Sequence, residues 1–187
     1  MSILNVEHLS HSFGDRVIFD DVSFRLLKGE HIGLIGANGE GKSTFMKIVT
    51  GQLIPEEGKV EWAKHVITGY MDQTAILTKG STIRMVLQTA FDELFEMESR
   101  MNQLYMDMAD ESISEAQMDE IMSEAGSLAD VLNAHDFYMI DAKIDEVSRA
   151  LGLYDLGLDR DVVDLSGGQR TKVLLAKLLL QKPDILL

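Results

Sequence analysis

Residues 36–43 read Gly36-Ala37-Asn38-Gly39-Glu40-Gly41-Lys42-Ser43, and Thr44 follows them. This run matches the pattern GxxxxGK[ST], in which a strand leads into a glycine-rich loop and a helix leads out of it. The flanks agree with the pattern, because the apolar run His31–Ile35 precedes the loop and an apolar helical pattern over Ser43–Thr50 follows it. A chance glycine loop is the alternative, and the combination of motif and flanks argues against it.

The loop pattern predicts a binding site for the phosphate groups of a nucleotide. Glycines let the chain curl so that successive backbone N–H groups converge on phosphate oxygens. The helix that begins near Lys42 adds the positive end of its dipole. We expect the Lys42 ammonium to reach the β- and γ-phosphates, the Ser43 hydroxyl to ligate Mg²⁺, and Thr44 to support this contact.

A second motif lies near the end of the chain, where Leu165-Ser166-Gly167-Gly168-Gln169 precedes an apolar helical pattern. One interpretation is structural, since a serine at a helix start caps a free N–H and two glycines allow a tight entry. The other is a second anion site, since a hydroxyl and glycine amides at a helix start suit phosphate. The phosphate loop upstream favours the second interpretation.

The remaining apolar patterns predict an α/β chain. They predict strands at Ile3–Leu9, Arg16–Phe19, Val22–Leu26, His31–Ile35, Val60–Trp62, Val66–Tyr70 and Ile185–Leu187. They also predict helices at Ser43–Thr50, Asp141–Leu151 and Thr171–Leu180.

The middle of the chain predicts two long helices that pair as a hairpin. Ser81 is the expected N-cap of the first helix, and Ser114 with Gln117 forms a capping-box signature before the second. Two ordinary surface helices are the alternative. The narrow heptad stripe of the first helix favours the hairpin; its positions are Leu87, Leu94, Met101 and Met108, with Ala90, Met97 and Leu104. The facing stripe of the second helix is Met118, Ile121, Ala125, Leu128 and Leu132.

Composition narrows the class of protein. The 187 residues are 45% hydrophobic and 26% charged, the balance of a globular domain. The net charge of −14 argues against a general nucleic-acid binder. The absence of cysteine excludes disulfides and thiolate chemistry. No apolar run approaches the ~18 residues of a membrane-spanning helix, and the start has no signal-peptide pattern. We therefore expect a cytoplasmic protein without membrane insertion.

Most of the negative charge lies in the segment Asp92–Asp136, which holds thirteen Asp and Glu residues and a single basic residue, Arg100. Direct contact with RNA phosphate would require Lys and Arg. If the hairpin binds a partner, we expect a basic protein surface, or RNA through Mg²⁺. A solvated helix face is the alternative.

The two glycine motifs together resemble those of the nucleotide-binding domains of ABC ATPases. Residues 36–43 are similar to the Walker A motif of that family, and LSGGQ is its signature motif. The resemblance implies that Phe13 stacks on adenine and that Gln73, in GYMDQ, contacts Mg²⁺ and the attacking water. It implies ATP and Mg²⁺ as ligands, with Lys42 and Gln73 as the catalytic residues of this segment. It also implies that Ser166, Gly167, Gly168 and Gln169 serve a nucleotide held by a second ABC domain.

The closest pattern is that of the ABC-F subfamily, whose members carry two such domains and act on ribosomes. The run LSGGQRTKVLLAKLLLQKPDILL is similar to that subfamily, and the long interval from Gln73 to Leu165 matches its inserted arm. The resemblance implies a P-loop NTPase core with an antiparallel β subdomain and an inserted helical subdomain that carries the hairpin. We expect the core at residues 1–80, the helical subdomain at 81–152, and the signature motif with the return to the core at 153–187.

The family's Walker B aspartate, catalytic glutamate and switch histidine have no counterpart up to Leu187. We therefore expect the whole protein to be an ATPase and this segment to bind nucleotide without hydrolysing it. The expected partners are a second ABC domain in the same protein and the ribosome, with no sequence-specific DNA. Two other functions remain open: the ATP-binding subunit of a transporter, and a non-enzymatic interaction module.

Overall fold

The computed structural model describes residues 2–71, 77–109 and 113–187. They form two compact units, the first of Met1–Tyr70 with Pro183–Leu187 and the second of Met71–Lys182. The first unit holds the strands and one helix, whereas the second is helical. This confirms the predicted α/β class with an antiparallel sheet and a helical subdomain. The division at residues 80 and 152 stays a prediction.

An antiparallel sheet of order β2-β1-β3 forms the larger part of the first unit. Its strands are β1 (Ser2–Phe13), β2 (Arg16–Leu27) and β3 (Glu57–Trp62). The two strands predicted between residues 16 and 26 are thus a single strand, with irregular pairing between Val6 and Leu9 of β1. This bulge shifts the inward face of β1 by one residue, so that the buried side chains are Leu4, Val6, Leu9 and His11.

Helix α1 (Lys42–Val49) packs its C-terminal turn into the core of the first unit. Its buried residues Ile48 and Val49 contact the apolar face of β1. The Trp62 indole Nε1 donates to the carbonyl of Val49 at 3.0 Å, which fixes the end of the helix against β3. The loop that precedes α1 is therefore attached to a helix with a buried end.

A short parallel pair completes the first unit, with β4 (Thr68–Gly69) beside β5 (Ile185–Leu186). Both strands are shorter than the sequence predicted. The Asp184 carboxylate accepts from the backbone N–H of Ile67 at 2.9 Å, which holds the start of the pair together.

The strand predicted at His31–Ile35 is not formed, and this prediction was wrong for the structure. The segment is exposed, and Ile35 has 94% of its surface accessible. A strand requires a neighbour to accept and donate its backbone hydrogen bonds, and no described residue pairs with this segment. Its apolar character alone therefore did not determine its backbone structure.

Helices α2 (Ile83–Gln88), α5 (Ile140–Ala150) and α6 (Gly167–Leu180) enclose the main core of the second unit. The predicted N-cap Ser81 was wrong by one residue, because the Thr82 hydroxyl accepts from Met85 N–H at 3.2 Å. The predicted long first helix is interrupted by a 3₁₀ turn at Thr89–Phe91. Leu87 and Ala90 consequently pack into this core and not into the hairpin.

Helices α3 (Asp92–Asp107) and α4 (Glu115–Ala134) pack against each other as the predicted hairpin. The capping box at Ser114 and Gln117 is confirmed. The hairpin core is centred on Met101 and Leu104 of α3 and on Ala125 and Leu132 of α4. The Arg100 guanidinium joins the two helices by donating to both carboxylate oxygens of Glu124, at 2.9 and 3.1 Å.

Candidate functional site

Two glycines of the loop before α1 have a left-handed backbone. Gly39 and Gly41 have φ of +87° and +91°, a region that costs other residues energy. At Gly41 a side chain is also excluded by packing, because a Cβ would overlap Ile18 Cγ2 of β2. Helix α1 then begins at Lys42. These glycines therefore meet a local structural need at the position where the motif predicts a phosphate.

The Lys42 side chain folds back over the loop. Its Nζ donates to the carbonyl oxygens of Gly36 and Ala37, both at 2.7 Å. Ser43 is exposed in the first turn of α1, and Thr44 follows it half-buried. The ammonium group is thus held at the loop and accessible, as a group that binds phosphate must be.

Two further charged residues contact the loop, and the pattern GxxxxGK[ST] gives no sign of either. The Glu40 carboxylate accepts from the Ala37 N–H at 2.6 Å. The Arg16 guanidinium of β2 donates to the carbonyl of Gly39 at 2.8 Å. The sequence predicts Glu40 as one of the nucleotide-binding residues of the loop, but a free position of the pattern does not predict its contact with the Ala37 amide. Sequence reasoning missed Arg16, which lies on β2, far from the loop in sequence.

Phe13 lies at the end of β1, opposite Arg16 of β2. It pairs across the turn with Arg16, whose guanidinium contacts Gly39. The Phe13 ring is 55% exposed and packs edge-on against the buried His11 ring, with the centroids 4.9 Å apart. An exposed aromatic held from behind offers a free face for a base.

The other predicted metal contact is not defined by the structure. Gln73 lies outside the described residues. Among residues 2–71, 77–109 and 113–187, no group of three or more His, Asp or Glu side chains could hold a metal ion. The exposed Ser43 hydroxyl fits Mg²⁺ as a single oxygen ligand, because Mg²⁺ bound with nucleotides takes its other ligands from phosphates and water.

The signature motif begins α6 in the second unit. Ser166 and Gln169 form a capping box: the Gln169 side chain accepts from Ser166 N–H at 2.8 Å, and Ser166 Oγ accepts from Gln169 N–H at 3.3 Å. The capping interpretation of this motif is therefore confirmed. Arg170, which the sequence reasoning did not single out, donates to the carbonyls of Leu165 and Val163 and fixes the approach to the helix.

Capping does not explain the two glycines of the motif. Gly167 and Gly168 are exposed, with negative φ and open space where a Cβ would lie. Neither a positive φ nor a close neighbour therefore requires glycine at these first two positions of α6. The glycines leave the α6 N-terminus uncovered, which favours the close approach of another group.

The chain belongs to the ABC transporter family and is an ABC-type ATP-binding domain, since residues 19–187 match the family model described as ABC transporter. ABC ATP-binding domains in general bind ATP with Mg²⁺. The fold agrees with this family. The chain is 25% identical to the ATP-binding cassette of an ABC transporter of known structure, covering 100% of this chain and 68% of that one with a TM-score of 0.62.

Among curated proteins, the chain is 62% identical over 187 residues to an uncharacterized ABC transporter ATP-binding protein of Bacillus subtilis. It is 33% identical over 172 residues to the energy-dependent translational throttle protein of Escherichia coli K12, covering 92% of this chain. It is 32% identical over 186 residues to ABC transporter F family member 2 of Arabidopsis thaliana, covering 98% of this chain. ABC-F proteins are therefore among its relatives.

The chain spans about a third of the length of these relatives, namely 36%, 30% and 27%. Within the described part of the chain, no helix combines the length and the apolar character needed to cross a bilayer.

Proposed function

We propose that this chain is the first ATP-binding domain of an ABC-F-type ATPase that acts on the ribosome. The observation that carries the nucleotide part is the position of the Lys42 ammonium, on the carbonyls of Gly36 and Ala37 at the loop that begins α1. A cation on a loop with two left-handed glycines suits the phosphate tail of ATP.

The loop amides and four side chains near them have separate parts in binding. The loop amides of Gly36–Gly41 and the N-terminus of α1 bind phosphate oxygens, and Lys42 neutralises their charge. Phe13 stacks on the adenine and orients the base. Ser43 holds Mg²⁺, with Thr44 in support and Gln73 as a further contact. The Mg²⁺, when bound, neutralises charge on the phosphate oxygens during phosphoryl transfer.

The signature motif serves a different nucleotide. Ser166, Gly167, Gly168 and Gln169 bind the phosphates of an ATP held by a second ABC domain of the same protein. A γ-phosphate between two helix N-termini attracts both, so ATP closes the two domains head to tail and hydrolysis reopens them. The uncovered glycines of α6 support this assignment.

The ribosomal part rests on the relatives and on the hairpin. One relative is named for translation and another for the F family. The α3–α4 hairpin lies between the loop and the signature motif, where the subfamily resemblance requires an arm. The whole protein then hydrolyses ATP in the cytoplasm.

The ATP-binding subunit of a transporter is the second candidate. The 62% identical relative has an ABC transporter name, which favours it. In that case the segment after Gln73 docks a membrane subunit, and the protein pellets with membranes rather than with ribosomes.

Lys42→Ala in the natural full-length protein tests the proposal. We expect ATP affinity to fall at least about thirtyfold, roughly 2 kcal/mol for a charge-assisted phosphate contact. Calorimetric titration with ATP and Mg²⁺ measures this loss. ATP-dependent sedimentation of the protein with ribosomes should disappear in the same variant.

Lys47→Ala is the matched control, because Lys47 is an exposed lysine on the last turn of the same helix. Lys47→Ala should change neither the ATP affinity nor the ATP-dependent sedimentation with ribosomes. Equal ATP affinity in the Lys42→Ala and wild-type proteins would contradict the nucleotide site. Binding of ATP without any ribosome sedimentation would contradict only the ribosomal part.

A further inference from the structure

The carboxylate of Glu40 occupies the phosphate loop. Its Oε2 accepts from the Ala37 N–H at 2.6 Å, and a Cβ built on Gly36 would lie only 2.7 Å from the same oxygen. An anionic oxygen that accepts a loop amide has the chemistry of a bound phosphate oxygen. The Glu40 carboxylate is therefore an anion of the protein itself, within a loop that is proposed to bind the phosphate groups of a nucleotide.

The cation of the loop is engaged as well. Lys42 Nζ donates to the carbonyls of Gly36 and Ala37, and Arg16 donates to the carbonyl of Gly39. The Ala37 amide and two of the three N–H donors of the ammonium group are thus used within the loop. An incoming polyphosphate must displace the Glu40 carboxylate and then bear its repulsion.

We propose that Glu40 is an affinity-determining residue of the nucleotide site, a built-in competitor that takes the Ala37 amide and weakens binding of the phosphate tail. This inference rests on the proposed nucleotide site and gives the side chain of one of its residues a separate role. It is a role in the binding equilibrium and not in the chemical step.

The alternative role for Glu40 is support of the loop. A carboxylate that bridges back to the N–H three residues earlier can hold a turn in shape. The two roles predict opposite changes in ATP affinity when the Glu40 carboxylate is removed. Removal of a competitor tightens nucleotide binding, whereas removal of a support weakens it. Affinity therefore separates them without a structure of the complex.

The experiment compares Glu40→Ala and Glu40→Gln in the full-length protein. We expect Glu40→Ala to bind ATP about three- to tenfold more tightly, the value of about one net hydrogen bond or one exposed charge contact. Glu40→Gln keeps an acceptor oxygen but not the charge, so its gain should be smaller. Calorimetric titrations with ATP and with ADP, each with Mg²⁺, measure both changes, and thermal melting confirms that both variants fold.

Glu30→Ala is the matched control. The Glu30 carboxylate also accepts from the N–H of the third residue before it, Leu27, at 2.7 Å, but it lies outside the phosphate loop. Its removal takes away the same charge and the same kind of bond, and ATP affinity should not change. A gain as large as that of Glu40→Ala would mean that overall charge is responsible and would overturn the proposal.

Unchanged or weaker ATP binding in both Glu40 variants would also overturn the inference. If Lys42→Ala lowers ATP affinity relative to the wild type, the nucleotide site stands and only the role of Glu40 fails. If the wild type binds no ATP, the proposed function and this inference fail together.

Discussion

Exposure distinguishes the aromatic residues that fold the first unit from the one assigned to ligand binding. Phe19 and Phe24 each pack on Phe45, with ring centroids 5.8 Å apart in both pairs. Phe13 lies on β1, beside the strand that carries Phe19 and Phe24, and is 55% exposed. Phe13 therefore contributes little to the core, and its proposed role is to stack on the adenine base.

Phe13→Ala should weaken ATP binding about tenfold, roughly 1.4 kcal/mol, within the range of base–aromatic stacking. The melting temperature should hardly change, because an exposed ring contributes little to folding. Calorimetric titration and thermal melting measure the two effects.

Val17→Ala is the control for Phe13, since Val17 is a 67% exposed apolar residue of β2, next to Arg16. It should leave ATP affinity unchanged. Equal affinities in Phe13→Ala and the wild type would remove Phe13 from the site.

Single residues of the site differ in how far they could be predicted. Gly41 and Lys42 occupy specified positions of the pattern, and the structure gives each a physical reason. Glu40 fills a free position, and Arg16 reaches the loop only because β1 and β2 pair. The Arg16 contact depends on how strands far apart in the sequence pair with each other, and a local sequence motif carries no information about that pairing.

Among the elements, the α3–α4 hairpin followed from its sequence most completely. A heptad stripe and a capping box specify a helix pair through neighbours three and four residues apart. The segment His31–Ile35 is the opposite case. Its apolar run predicts burial, but a strand forms only where another strand supplies hydrogen bonds.

The Arg100–Glu124 pair gives the hairpin a pH-dependent contact. The Arg100 side chain donates to Glu124, and this hydrogen bond, aided by the opposite charge, lowers the pKa of the Glu124 carboxyl below 4.5. A depressed pKa stabilises the folded state above the unfolded value and loses this contribution as the pH falls through the folded pKa. The hairpin should therefore loosen on the acid side of pH 4.5.

Arg100→Met should raise the pKa of Glu124 back towards 4.5 and remove this acid-dependent contribution. NMR titration of the glutamate carboxyl carbons measures the pKa directly. Arg149→Met is the control, because Arg149 stacks on Tyr154 and is absent from the causes of the Glu124 shift. A wild-type Glu124 that titrates at or above 4.5 would contradict the predicted pair.

At the scale of the whole molecule, the two motifs lie in different compact units. The phosphate loop and Phe13 belong to the first unit, and the signature motif begins α6 of the second. The sequence instead predicts the signature motif in a segment that returns to the core at residues 153–187, and that division stays a prediction. The proposed partner domain does not follow from contacts within the chain, because the capping box already uses backbone groups at the N-terminus of α6. Only the two uncovered glycines indicate that something else approaches it.

Ser166→Asp separates binding from closure in the full-length protein. Aspartate caps a helix about as well as serine, so α6 should keep its stability. Its carboxylate faces the phosphates that the motif is proposed to bind, and like charges repel. ATP affinity at Lys42 should therefore be unchanged, while ATP-dependent compaction of the protein, followed by small-angle scattering, is lost.

Ser123→Asp is the control, because it places the same charge on an exposed turn of α4. The protein with this substitution should still become compact when ATP binds. Compaction that survives in Ser166→Asp would contradict a role for this motif in binding the nucleotide of another domain.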